Sequence, residues 1–405
     1  MDFAQERSRR FVHAALSANS PGRRPQALGA KMGLTIKLPR LRPASDELLH
    51  LDLMRFIAAS GIVFHHSHEF FTPVAKNLFL VREQWAGLAL FVDLFFVISG
   101  YVIAHIYHDR MNSFSGYGTF LQRRVGRLVP LHWLTLLLSI SMWSTFVLLN
   151  TSTQTPSFRP KCIVETALLL HSFLSCGIHF NSLTWSISAE MVMYVAFPVF
   201  AIIGTRSAQL LLSVGIAFLI AMMTVAVSQH GWKWPGSSWI DLSPVLRALP
   251  SFVFGAALFY NRSVVSRLPL PGSILVVAIS GLIAAMVFGV SQLLTLLIVY
   301  AVAVAAIAAD LQGSPITAVR RLAPLGQLTY SIYMWHMILV LIFLNVFGSK
   351  LLHGHMLTAA IVASACYLCI FTISYFSFFF IETPARRWID GIKLFKPAFI
   401  ASMPP

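Results

Sequence analysis

Arg55 and His66 are the first pair whose types and spacing suggest chemistry. They lie eleven residues apart in RFIAASGIVFHHSHEFF, Arg55 to Phe71. At ~100° and ~1.5 Å per helical residue, that spacing returns to within ~20° of the same face after a rise of ~16 Å. A guanidinium grips phosphates, and an imidazole moves protons near neutral pH. His65 and His68 leave that face by about 100° and 200°, so the three histidines cannot all serve one site. Further along, WAGLALFVDLFFVISGYVIAHIY carries one acid, Asp93, and a carboxylate bonded to an imidazole fixes its tautomer and raises its basicity. In SLTWSISAEMVMYVAFP, Ser186, Glu190 and Tyr194 follow one another at helical spacing on one face. LTYSIYMWHMILV adds His336, and GTFLQRRVGRLVPLHW places Arg123, Arg124 and Arg127 just before an apolar run. These three arginines are either topological anchors or a cradle for a phosphorylated cytosolic molecule.

The segments that must position these groups are apolar. Of 405 residues, 57% are hydrophobic and 11% charged, and the mean hydropathy is +0.73. Such a composition excludes an ordinary soluble globule and predicts an all-α, polytopic membrane protein. Ten runs are long enough to cross ~30 Å of hydrocarbon as helices: 53–71, 86–107, 128–149, 183–204, 208–228, 244–260, 272–290, 292–309, 328–347 and 357–381. A weaker apolar stretch, 163–176, is expected to be interfacial or re-entrant. By rise along these helices, Asp93 lies ~21 Å and His336 ~12 Å above the inner boundary, and Glu190 ~10 Å below the outer one. Ionisable groups at such depth are costly and are usually kept for function. The convergence of four segments favours a site over separate structural hydrogen bonds.

The net charge of +15 would suggest nucleic acid in a soluble protein. Here it sorts by topology. With both termini cytoplasmic, every Lys and Arg falls inside except Lys76, Arg82, Arg159, Lys161, Lys233, Arg247 and Lys350, as the positive-inside rule demands. No nucleic-acid partner is expected. Residues 1–47 are Arg-, Pro- and Ser-rich and predict a disordered basic cytoplasmic tail, 48–392 the membrane domain, and 393–405 a short cytoplasmic tail. Cys162 and Cys176 fall in a predicted outside segment, where a disulfide can form. Cys366 and Cys369 read as small apolar residues of the last span. No cysteine pattern for a metal and no glycine-rich phosphate motif is seen, and no metal is expected.

LDLMRFIAASGIVFHH, VDLFFVISGYVI, FLQRRVGRLVP, LTWSISAEMVMYVAFP, RALPSFVFGAAL, LGQLTYSIYMWH and FIETPARRW occur in this order. Together the chain resembles the acyltransferase 3 family of bacterial integral-membrane O-acyltransferases, which modify surface polysaccharides, lipopolysaccharide, nodulation signals and macrolides. The resemblance covers about 48–392. It implies acyl-CoA, usually acetyl-CoA, as cytosolic co-substrate, a carbohydrate or glycolipid acceptor, and a multi-pass location in the bacterial inner membrane. By position, Arg55 and His66 match the first-helix motif, Arg124 and Arg127 the basic loop pair, and Trp185, Ser186, Glu190 and Tyr194 the tryptophan-serine-glutamate motif. Arg247, Tyr333 and His336 sit in further motif stretches. Phe91 and Ala189 depart from the usual glycine and valine without touching the chemistry.

The expected reaction is transfer of an acyl group, acetyl foremost, to a carbohydrate hydroxyl. His66 would be the base or a transient acyl carrier, oriented or charge-balanced by Asp93 or Glu190. Arg55, Arg123, Arg124 and Arg127 would hold the donor. The competing class is a transporter or flippase of lipid-linked glycans, in which the buried ionisable groups would relay protons. Transporters of that kind often carry internal repeats, and none is visible.

Overall fold

A computed structural model describes residues 39–41, 48–67, 70–71, 86–111, 113–150, 156–172, 180–230, 243–313, 315–344, 356–392 and 394. Every predicted apolar run is occupied by a helix, and no strand occurs among the described residues. In chain order the spans are α1 (Leu49–Ser67), α2 (Phe91–Tyr107, entered through the 3-10 turn Ala86–Leu90) and α3 (Phe114–Leu148). The short α4 (Pro160–Ala167) precedes α5 (Thr184–Arg206), α6 (Ala208–His230) and α7 (Ser243–Tyr260). A single turn, α8 (Arg262–Val265), leads to α9 (Pro271–Val287) and α10 (Gln292–Gln312). The short α11 (Thr317–Leu322) and a 3-10 turn (Ala323–Leu328) feed α12 (Thr329–Phe343). Last come α13 (Met356–Ser377), a π-helical stretch (Phe378–Glu382) and α14 (Thr383–Gly391).

Seven of these helical stretches are long and apolar enough to cross a membrane, and α7 and α9 are shorter apolar helices. α1 is less apolar because Asp52, Arg55, His65 and His66 lie on it. The expected weak segment 163–176 is in part α4, and Cys162 within it is disulfide-bonded. Its expected partner Cys176 lies outside the described residues, as do His68 and both predicted tails almost entirely. Cys366 and Cys369 are free thiols in α13.

The bundle is built around α2, whose residues are nearly all buried. Its closest neighbour is α7. Asp93 meets Arg247, Gly100 meets Phe252, and His105 meets Phe259, so the two helices run parallel. A Cβ on Gly100 would stand 2.0 Å from the Phe252 carbonyl oxygen, and one on Gly255 equally close to that of Val97. Glycine at both positions lets two backbones touch, which is how helices associate where no water drives them together. The outer helices turn apolar side chains outward, among them Ile220 on α6, Val277 on α9 and Leu368 on α13. Buried polar groups sit inside, the arrangement a bilayer imposes.

One contact joins the ends of distant spans. The Asp310 carboxylate, near the C-terminus of α10, accepts from the backbone N–H of His50 (2.8 Å) and Leu51 (3.0 Å) and lies 2.8 Å from His50 Nδ1. It caps the first turn of α1, whose N–H groups have no partner within the helix.

Candidate active site

A partly enclosed cavity lies between α1, α2, α3, α5 and α12. Its lining brings together Arg55, Arg124, Arg127, Ser186, Glu190, Tyr194 and Tyr333, each singled out by the sequence. The helical register explains the selection. Arg124 and Arg127 are three residues apart and share a face, whereas Arg123 is turned by ~100°. Arg123 is exposed and is not among the lining residues, although like Arg124 it reaches the Tyr107 hydroxyl.

Glu190 is held by two hydroxyls. Ser99 of α2 and Tyr194, one turn along α5, both donate to its Oε1 at 2.5 Å. Ser99 Oγ and Tyr194 OH are themselves 3.2 Å apart. This oxygen is fully engaged. Arg124 donates from Nη2 to Tyr107 OH (3.0 Å), and its guanidinium lies 5.2 Å from the Tyr107 ring centre and 5.8 Å from that of Tyr194. Its Nε is buried without a hydrogen-bond partner. Aromatic faces thus fix a fork whose donors are only partly used. Arg55 is paired with Asp52 at 3.0 Å. Three guanidiniums around one cavity make a field that favours an anion.

Ser186 and Tyr333 form the other wall. Their hydroxyls are 2.6 Å apart, and both lie near the Leu183 carbonyl, at 3.1 and 3.2 Å; with one hydrogen each, one hydroxyl donates to the other, which donates to that carbonyl. Behind Tyr333 stands His336, with ring centres 5.6 Å apart, and behind His336 stands His66, at 5.5 Å. Neither histidine lines the cavity. His66 is reached from it across two aromatic rings.

Asp93 corrects the expectation that it orients His66. Its carboxylate is taken by Arg247, with Nη2 to Oδ2 at 2.7 Å and Nε to Oδ2 at 3.2 Å. Arg247 also donates to the Ala89 carbonyl (2.9 Å) and lies 5.2 Å over the Trp185 ring. The cause is the parallel packing of α2 and α7, which sets Asp93 and Arg247 at one level near the start of each helix. A buried arginine needs an acid, and this one is nearest. Trp185 connects the pair to the cavity through Phe96, a lining residue, at 6.5 Å.

Three residues were not anticipated. Ser99 sits in the VDLFFVISGYVI stretch, but only the structure shows that it faces Glu190. Tyr330 lines the cavity and donates to the Leu128 carbonyl. Glu382, 4% exposed in the π-helical stretch, accepts from Ser331 at 2.8 Å. It lies within FIETPARRW, where the acid was the available signal. Among the described residues no cluster of three or more metal-ligating side chains occurs.

Comparison with known proteins identifies a family. The acyltransferase 3 profile, described as an acyltransferase domain, matches residues 48–378. "Protein 2 in picA locus" of Rhizobium radiobacter is 35% identical over 96 residues, 23% of this chain and 44% of that protein. "Acyltransferase MdmB" of Streptomyces mycarofaciens is 28% identical over 162 residues, 38% of this chain and 40% of that protein. The chain thus spans less than half the length of either relative. No solved structure matches. With the family match running through every helix that lines the cavity, the chain belongs to the acyltransferase 3 family of membrane proteins.

Proposed function

We propose that the protein is a membrane O-acyltransferase. In this reading it takes an acyl group, acetyl foremost, from cytosolic acyl-CoA and transfers it to a hydroxyl of a carbohydrate or glycolipid in the inner membrane of a bacterium. The observation that carries this reading is the set of guanidiniums, Arg55, Arg124 and Arg127, lining the same cavity as Ser186, Glu190 and Tyr333. Coenzyme A is a polyphosphate with a thioester on a long arm. Guanidinium forks suit its phosphates, and the arm would carry the thioester toward Ser186 and Tyr333.

We assign the base that takes the proton of the acceptor hydroxyl to His66, which stands behind Tyr333 and His336, so the acceptor would meet the thioester from that side of the two rings. Glu190, the carboxylate lining the cavity, balances charge there. Asp93 is left to Arg247, as a pair that holds α2 to α7.

Orientation follows from the same reading. Arg110, Arg124, Arg206, Arg262, Arg320 and Arg386 lie at one end of the bundle. Connectivity puts the disulfide-bonded Cys162 at the other. Disulfides persist in oxidising compartments, so the basic end faces the cytoplasm and both termini lie there.

The test is incubation of membranes holding the protein with radiolabelled acetyl-CoA. Label appearing in the carbohydrate fraction, and absent without the protein, supports the reading. Movement of lipid-linked glycan with no label transferred would favour a flippase instead.

A further inference from the structure

The positive charge of the cavity does not end at its lining. α14 packs along the part of α3 that carries Arg124 and Arg127. Gln122 of α3 donates to the carbonyls of Ile389 (2.6 Å) and Ile392 (2.5 Å). A Cβ on Gly126 would stand 3.1 Å from Ile389 Cγ2 and 3.6 Å from Asp390 Oδ1. The two helices therefore run antiparallel, and stepping back along α14 from Ile389 leads along α3 past Gly126 towards Arg127. Arg386 lies one turn before Asp390 and so on the face turned to α3, whereas Arg387 is rotated ~100° away. The Arg386 guanidinium interacts with Arg124 and Arg127, which repel it, and with Asp390 and Glu382, which hold it. The hold on its Nε is loose, at 3.9 Å from Asp390 Oδ2, beyond hydrogen-bond length, and the side chain is 50% exposed.

Like charges kept side by side favour an anion among them. Coenzyme A brings anions at two places, a pyrophosphate partway along the molecule and a phosphate on the ribose, at the end farthest from the thioester. Arg55, Arg124 and Arg127 line the cavity together with Ser186 and Tyr333, toward which the thioester is carried. Arg386 is not a lining residue. It stands at the edge of the same cationic group, half in water, where the outermost phosphate would lie.

We propose that Arg386 is a further donor-binding residue, a rim contact for the ribose phosphate of acyl-CoA and thus a determinant of which thioesters are accepted. The inference rests on the acyl-transfer reading. The planar fork of Arg386 offers parallel N–H donors to two oxygens of that phosphate. Arg387, equal in charge and next in the chain, takes no part because it faces away.

The test compares acetyl-CoA with acetyl-dephospho-CoA, which differs only in lacking the ribose phosphate. Membrane vesicles holding wild type, Arg386→Ala or Arg387→Ala receive either donor with a radiolabelled acetyl group, and donor binding and melting temperature are measured on purified protein. Wild type is expected to need about fivefold more acetyl-dephospho-CoA than acetyl-CoA for half-maximal rate, the order of what a half-exposed charged contact contributes. Arg386→Ala should raise the acetyl-CoA requirement by the same factor and leave that for acetyl-dephospho-CoA within about twofold of wild type, as a double-mutant cycle requires of two groups that act through each other. Arg387→Ala should keep the wild-type preference.

A wild type indifferent to the ribose phosphate would overturn the assignment, as would an Arg386→Ala that keeps the preference or that raises both requirements alike. Equal loss of preference in Arg387→Ala would trace the effect to net surface charge and overturn it too. Failure of the underlying reading looks different, because wild type would then transfer no label from either donor. Binding to purified protein reads the donor preference without transfer and keeps the two failures apart.

Discussion

Glu190 shows how much a single oxygen can decide. Both of its hydroxyl donors, Ser99 and Tyr194, converge on Oε1, so a glutamine can accept the same two bonds and lose only the charge. We expect Glu190→Gln to melt as wild type and to lower turnover more than donor affinity; wild-type turnover would reduce Glu190 to a structural role. Arg124 calls for the opposite signature. Loss of a charge-assisted hydrogen bond costs about 1.5–3 kcal/mol, so Arg124→Ala should raise the half-saturating acetyl-CoA concentration roughly ten- to a hundredfold. Arg124→Lys should restore only part, because a lysine lacks the planar fork that lies between the Tyr107 and Tyr194 rings. An unchanged donor requirement in both variants would return Arg124 to topological anchoring. Most polar lining residues were legible in the sequence because helical spacing fixes which side chains share a face: Ser186, Glu190 and Tyr194 behave as counted. The partner of Asp93 was not legible. Depth along a helix is readable from one segment, but which helix lies alongside is set by packing, and Arg247 had been counted with the outside loops.

Between α2 and α7 two kinds of contact act together, the Asp93–Arg247 pair and the mutual approach at Gly100 and Gly255. Breaking a buried pair leaves one charge stranded at about 3–5 kcal/mol. Asp93→Leu should therefore lower the melting temperature in detergent sharply, whereas the double change Asp93→Leu with Arg247→Met should recover most of it. A double variant no more stable than the single one would mean that the pair does more than neutralise itself. Gly100→Leu is the steric counterpart. With a Cβ already 2.0 Å from a carbonyl oxygen, the helices must separate, and the cost should exceed the 1–3 kcal/mol typical of overpacking. The helices themselves were legible as apolar runs, since hydrophobicity over twenty residues is a strong signal. Their partners were not, because neither the 3.6-residue period nor composition encodes which faces meet.

Across the whole molecule the distribution of charge makes a prediction of its own. A fluorescent protein fused after Pro405 should fold and glow, as it does in the cytoplasm, while the same reporter placed in the segment after Cys162 should stay dark. The reverse pattern would invert the proposed orientation. Connectivity also gives the Asp310 cap a consequence in time. Ribosomes deliver α1 first, with Arg55 and His66 already on it, yet the carboxylate that closes its leading turn belongs to the eighth span, 260 residues later. Until that span arrives, the helix that carries both residues waits in the membrane with its end unsealed. A chain stalled or truncated before Asp310 would expose that end to membrane quality control, whereas completion of α10 marks the moment when the first helix is locked. The oldest part of each newly made molecule is in this sense among the last to mature.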